Sequence, residues 1–368
     1  MLLLPLVKIW TGAPNFPVFA TSSSNNILSI NGSLTLIPNM SWNFNGKIYF
    51  ESSSAGQTIT TAGQTFLNDI YFNKAGGGWI LQDALEVPNS YIYHNYGSLN
   101  TNGKPVKCYY YYSTTTNARS LILGSSILTI MGSSNVFSLN SNNFTLDAGT
   151  SLISFGSSSN PTLYISSANA SLTFNDIEFT NSSITGTINN NTSYQMIFNN
   201  VSFAGHGTVN GNNQYNGTLT FNTGKTYTLQ AGKTQTLGGN LYANGSCGDE
   251  VVIKSSSTSQ AIFSKNSGTV TVNYVNLQYI NATGGAAFTA NASTDGGGNT
   301  GWSITPPASS GGNMYWVGGG GNWSDPNHWS LASGGTPNIA GCIPNSTNNI
   351  YFDANSGLTA SSNTVTVD

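Results

Sequence analysis

Phe174-Asn-Asp-Ile-Glu-Phe179 and Phe198-Asn-Asn-Val-Ser-Phe203 spell one phrase twice: apolar, Asn, any residue, β-branched, any residue, apolar. The two copies start 24 residues apart. A third, Val272-Asn-Tyr-Val-Asn-Leu277, begins 74 residues after the second, close to three such intervals, and Phe66-Leu-Asn-Asp-Ile-Tyr-Phe72 is a looser copy with one inserted residue. Self-similarity at an interval of roughly 20–50 residues marks stacked repeats. A short strand, one corner residue and another short strand is what a coil of a β-solenoid requires, and Asn enters the positive-φ region more cheaply than most residues. The phrase predicts corners at Asn175, Asn199 and Asn273, with Asn175 and Asn199 as neighbours in a hydrogen-bonded ladder.

The surrounding sequence agrees on fold class. Apolar and polar residues alternate with period two at Ser33-Leu-Thr-Leu36, Ile127-Leu-Thr-Ile130, Thr218-Leu-Thr-Phe221 and Thr269-Val-Thr-Val272, each bounded by Gly, Asn or Ser, which is the pattern of strands between turns. Helical spacing of apolar residues is nearly absent. A second phrase, a small or polar residue, Gly, then Ser or Thr, opens such runs at Asn31-Gly-Ser, Ala148-Gly-Thr, Asn216-Gly-Thr and Ser267-Gly-Thr. Its glycines, Gly268 among them, read as corners where the chain enters a new sheet. The expected fold is an all-β parallel β-solenoid with about 20–25 residues per coil.

Composition narrows the function. Charged residues are 6% of the 368, with 10 Lys plus Arg against 13 Asp plus Glu, and Arg119 is the single arginine. No basic surface is available for counterion-releasing nucleic-acid binding. Ser (49), Thr (41), Asn (49) and Gly (42) make up about half of the chain, so solubility rests on hydroxyls and amides, a composition suited to long-lived extracellular protein. Hydrophobic residues at 38% argue against disorder. Cys108, Cys247 and Cys342 are odd in number and far apart, neither a disulfide framework nor a zinc knuckle; small buried side chains or one long-range bridge are the readings. The apolar start Met1-Leu-Leu-Leu-Pro-Leu-Val is too short for a signal peptide, and no segment approaches a membrane span. A secreted-looking body without an export signal reads as either a fragment of a longer chain or a subunit exported by other means.

A Pro then Gly/Ser stretch at 305–313 reads as a linker between a solenoid module at 1–304 and a β-rich segment at 314–368, which the resemblance given below implies is the start of a following module. The closing Asn363-Thr-Val-Thr-Val-Asp368 reads as a strand without a cap, so end-to-end stacking of coils between subunits is an expected mode of self-association. Gly268-Thr-Val-Thr-Val-Asn-Tyr-Val275, Asn281-Ala-Thr-Gly-Gly285 and Asn299-Thr-Gly-Trp302 resemble the terminal part of right-handed parallel β-helix (pectin-lyase-like) modules in large secreted bacterial surface repeat proteins. Tyr315-Trp316-Val-Gly-Gly, Asn322-Trp323-Ser and Ile350-Tyr-Phe-Asp-Ala-Asn355 resemble the opening of such a module. Gly56-Gln-Thr-Ile-Thr-Thr-Ala-Gly-Gln64 and Gly76-Gly-Gly-Trp-Ile-Leu-Gln-Asp83 resemble its early middle. The resemblance implies a tandem array displayed on or secreted from a cell, with adhesive or structural roles.

Candidates for chemistry are sparse. A glycoside hydrolase of the usual kind needs two carboxylates facing one bond; Asp176 and Glu178 share a strand face but read as solvated strand residues. Gly205-His206-Gly207 resembles the Gly-His-Gly element of polygalacturonases, yet no Asp-Asp precedes it and no Arg follows, so His206 reads as a turn residue. Asp325 and His328 fall short of a metal site, and the loop Asp295-Gly-Gly-Gly-Asn299 offers calcium one carboxylate. Tyr109-Tyr-Tyr-Tyr112 should alternate, two inward and two outward, the outward pair a potential sugar platform. Threonine pairs at 226/228, 234/236 and 269/271 resemble an ice-binding array without its strict period. The expectation is a non-enzymatic extracellular or cell-surface β-solenoid needing no cofactor or metal, structural or adhesive, with a glycan or surface ligand as partner. A polysaccharide-acting β-helix or a virion fibre is the alternative.

Overall fold

The computed structural model describes residues 2–4, 7–8, 17–21, 23–167, 169–246, 249–306, 312–337, 343–344 and 348–367. Parallel strands stack coil upon coil as a β-solenoid of about 12 turns, with small additional sheets at the C-terminal end. Its one helix among the described residues is the short 3-10 turn Pro326–His328.

The repeated phrase supplies the core. The strands Thr173–Phe179 and Met196–Phe203 pair in parallel with Phe174 beside Phe198, Ile177 beside Val201 and Phe179 beside Phe203. The rings stack at 5.3 Å and 4.7 Å between centroids, and Phe155 extends the second row at 4.7 Å. All these side chains are buried. Each is worth about 1.5–3 kcal/mol in burial alone, with roughly 0.5–1.5 kcal/mol more for each stacked aromatic pair. Two consecutive copies of the phrase therefore write two short aromatic rows along the coil axis.

The corners differ from expectation. Asn175 and Asn199 lie within single continuous strands, and the described non-glycine residues with positive φ are Ala62, Asn102, Ser134, Asn143, Tyr274, Tyr279 and Ala292. The phrase bends instead by facing two successive residues outward, Asn175 with Asp176 and Asn199 with Asn200, between buried neighbours. That bend needs no left-handed residue. The third copy does turn through one, but at Tyr274 (φ 49°), directly after Asn273. Coil length also varies, from 14 residues between Phe288 and its partner Trp302 to 27 between Ser134 and Pro161, so the phrase cannot recur at one strict interval.

The chain forms two compact units, Met1–Leu219 with Lys233–Asn240, and Thr220–Gly232 with Leu241–Asp368. Residues 314–368 thus belong to the second unit; of the expected linker, 307–311 lie outside the described residues. In that unit Met314, Trp316 and Trp329 form a buried cluster against which Tyr274, Trp323, Ile343, Ile350 and Val365 pack. Trp316 Nε1 donates to the Gly319 carbonyl at 2.6 Å and Trp329 Nε1 to the Trp323 carbonyl at 2.9 Å. Trp302, in the strand Trp302–Ile304, meets Phe288 edge-on at 5.1 Å.

Two glycines show what the corners demand. Gly268 has φ +86° with only the Lys265 Cε within 4 Å of where a Cβ would stand, so Gly268→Ala should cost about 1–2 kcal/mol of backbone strain alone. Gly149 has φ +53° and would drive a Cβ into the carbonyl of Gly124 one coil below. Gly149→Ala is expected to cost at least ~3 kcal/mol, strain and clash together. Urea unfolding of both variants against the parent checks the order; equal losses would mean that contact between coils is not what restricts position 149.

Candidate functional site

Outward residues of the first unit carry a tyrosine surface. Tyr49, Tyr71 and Tyr93 occupy equivalent places on successive strands with rings stacked at 4.3 Å and 4.6 Å, interplanar angles 3° and 8°. Tyr91 and Tyr110 stack beside them at 4.5 Å and 9°. Within each row the facing sides of the rings are therefore covered by the neighbouring ring. Burial and the Asp69 carboxylate beside it push the Tyr93 hydroxyl up to about 12; Tyr71, whose hydroxyl donates to Asp69 Oδ2 at 3.3 Å, is raised for the same reasons. A sugar ring stacks on a free aromatic face, and stacking within the rows leaves such faces only at the row ends. The run at 109–112 does not alternate as expected either: Tyr111 is buried while Tyr109, Tyr110 and Tyr112 are half-buried. A bend between the buried Cys108 and Tyr111 faces two successive residues outward, as at Asn175–Asp176.

Beneath this surface lies a polar network that sequence reasoning missed. His94 is fully buried, with Nδ1 2.8 Å from the Tyr111 hydroxyl and Nε2 2.9 Å from the Gly97 carbonyl. A carbonyl only accepts, so Nε2 carries the proton and Tyr111 donates to Nδ1. Arg119, 3% exposed, donates Nε to Asn117 O, Nη1 to the carbonyl and hydroxyl of Ser113, and Nη2 to Asn140 O and Asn142 O. Its guanidinium lies 5.2 Å from the centre of the Phe144 ring. The one available signal was that Arg119 is the single arginine.

The acidic and histidine candidates are held by the chain itself. Asp176 Oδ1 accepts from Asn199 Nδ2, Asn200 N and Asn200 Nδ2 at 3.1, 3.2 and 2.8 Å. Glu178 sits between Ser154 and Ser202 of the adjacent strands. His206 opens the strand His206–Asn210 opposite Thr185 rather than sitting in a turn. Asp295 closes its own loop, accepting from Gly297 N at 3.0 Å and Asn299 Nδ2 at 2.6 Å. Asp325 caps the 3-10 turn through Asn327 N, and His328 stacks on Trp316 at 4.6 Å and 4° while its Nδ1 donates to Val317 O. No cluster of three or more His, Cys, Asp or Glu occurs among the described residues. Cys108 is a free, buried thiol pushed up by burial; Cys247 and Cys342 lie outside the described residues. The threonine pairs do not continue from coil to coil as one array: Thr228 stands beside Lys254, Thr236 beside Gln214 and Thr269 beside Ala287, while Thr271 alone of these meets another threonine, Thr289.

The asparagines do link coils, but not as drawn from the sequence. Asn175 Nδ2 donates to Ser151 O at 2.9 Å and Asn199 to Asp176, so the two do not bond to each other. Asn273 sits in a true amide row, donating to Asn244 Oδ1 at 2.8 Å and accepting from Asn291 Nδ2 at 3.2 Å.

Asn175 and Asn199 also line a groove of about 440 Å³, with Asp147, Ala148, Phe174 and Asn216. Elements from four successive coils meet there: the end of the strand Phe144–Asp147, the strands Thr173–Phe179 and Met196–Phe203, and the turn before Thr218.

No family model, no curated protein and no solved structure matches the chain. No helix among the described residues is long and apolar enough to cross a membrane.

Proposed function

We propose that this chain is a non-enzymatic structural and adhesive β-solenoid segment of a large secreted or cell-surface repeat protein, a bacterial one of the pectin-lyase-like kind. The observation that carries this reading is the coil-to-coil bracing by uncharged side chains on the outside of the stack: the tyrosine rows, the Asn244–Asn273–Asn291 row, and Asn175 bonded back to Ser151. Neutral amide and hydroxyl ladders keep their strength across salt and pH, which suits a protein standing in an uncontrolled medium. Self-association and contact with a glycan or surface ligand belong to the same proposal.

Protease shaving of intact source cells, followed by immunodetection of this chain, is expected to remove it while a cytosolic marker survives. Full protection of the chain behind an intact envelope would overturn the surface assignment. The purified chain is expected to release no new reducing or unsaturated ends from pectin, xylan, alginate or glucan. Release that disappears in Asp176→Asn or His206→Ala would favour a polysaccharide-degrading β-helix instead.

A further inference from the structure

We infer that the groove at Asp147, Asn175, Asn199 and Asn216 binds a neutral oligosaccharide. The Nδ2 groups of Asn175 and Asn199 are tied to the chain, at Ser151 O and Asp176 Oδ1, and their Oδ1 atoms receive no hydrogen bond from the described residues. The exposed Asp147 carboxylate likewise has no partner among them. Asn216 is the reverse case: its Oδ1 accepts from Gln214 Nε2 at 2.6 Å, leaving its Nδ2 as a donor. Three unbonded acceptors, the Asn216 Nδ2 and the second N–H of Asn175 and Asn199 thus belong to residues that line one opening of about 440 Å³, within the size range of small-ligand sites. The fixed ends of the amides orient the free ends, so little side-chain freedom is lost on binding.

A ligand matching this set must offer several donors and some acceptors over a short span, as sugar hydroxyls do. The Asp147 charge and the absence of any Lys, Arg or His among the lining residues disfavour uronates, sulfated glycans and phosphates. One carboxylate with neutral amides is also a weak calcium site. Because the groove crosses four coils, it suits a chain running along the stack rather than a single sugar. The ligand class deepens the adhesive reading and draws its biological use from it, but the geometry stands without it.

Saturation-transfer NMR on the full chain with cellopentaose, xylopentaose, maltopentaose and penta-galacturonate tests the inference. Transfer to at least one neutral pentaose and none to penta-galacturonate is expected. Ala148→Trp fills the groove without removing any side-chain hydrogen bond of the ladder and should abolish transfer. Asn175→Ala with Asn199→Ala should weaken binding about tenfold or more. No transfer to any neutral pentaose, stronger transfer to the galacturonate, or undiminished transfer in Ala148→Trp overturns it. Failure here would leave the shaving result untouched, and failure of shaving would leave this result untouched.

Discussion

Arg119→Ala is expected to destabilise the first unit by about 4 kcal/mol, within the range for breaking a buried charge network or emptying a large buried volume. The side chain reaches from its own coil, where Ser113 and Asn117 accept, to the next, where Asn140 and Asn142 accept. No carboxylate is among its partners, so carbonyl dipoles and the Phe144 ring offset the cost of burying the charge. Removing the guanidinium strands those carbonyls without water, and an unsatisfied buried acceptor costs about 1–3 kcal/mol. Arg119→Met separates the two contributions, since it keeps much of the volume and sheds the buried charge. If hydrogen bonding across coils is what matters, Met should still lose about 2–3 kcal/mol. Arg119→Lys should lose nearly as much, because a compact ammonium cannot span carbonyls on both coils. Denaturant unfolding followed by tryptophan fluorescence reads all three. A Met variant as stable as the parent would mean that the guanidinium braces nothing.

This network also shows where a sequence stops being readable. The Phe174–Phe198 and Phe179–Phe203 rows were legible because one residue type recurs at the interval of one coil and stacks on itself. Arg119 is the single arginine and His94 one of three scattered histidines, and their partners are mostly backbone carbonyls, which every residue possesses and no residue-type pattern marks. The corners were misplaced for a related reason. A bend with two outward residues, as at Asn175–Asp176, leaves the same apolar spacing as a left-handed corner residue would, and Asn suits both. Tyr109–Tyr112 broke strict alternation at the same kind of bend. The groove stood half in view: Asn175 and Asn199 belong to the first repeated phrase and Ala148 and Asn216 to the second, but only stacking brings the two phrases and Asp147 together.

Acid should weaken this protein through His94 in particular. Burial, reinforced by the Arg119 charge and opposed by the Gly97 carbonyl, lowers the His94 pKa from 6.5 to about 4. Above pH 6.5 the imidazole is neutral whether folded or unfolded, and its contribution to stability is complete. As pH falls from 6.5 towards 4 the unfolded chain takes up a proton that the folded chain refuses, so stability drains away across that window. Below about 4 both states are protonated and the loss levels off. A shift of that size corresponds to about 3 kcal/mol. The structural reason is specific: a proton on Nδ1 would turn the acceptor of the Tyr111 hydroxyl into a second donor, beside a cation. Unfolding free energies at pH 7, 5.5 and 4 should converge between the parent and His94→Gln, because Gln offers a donor and an acceptor but does not titrate. The His94 Cε1 resonance should stay at its neutral position until pH approaches 4. Titration of that resonance near 6.5, or a parent-to-variant gap that is constant across the window, would show that the buried imidazole is free to charge and that the Tyr111–His94–Gly97 chain does not hold it neutral.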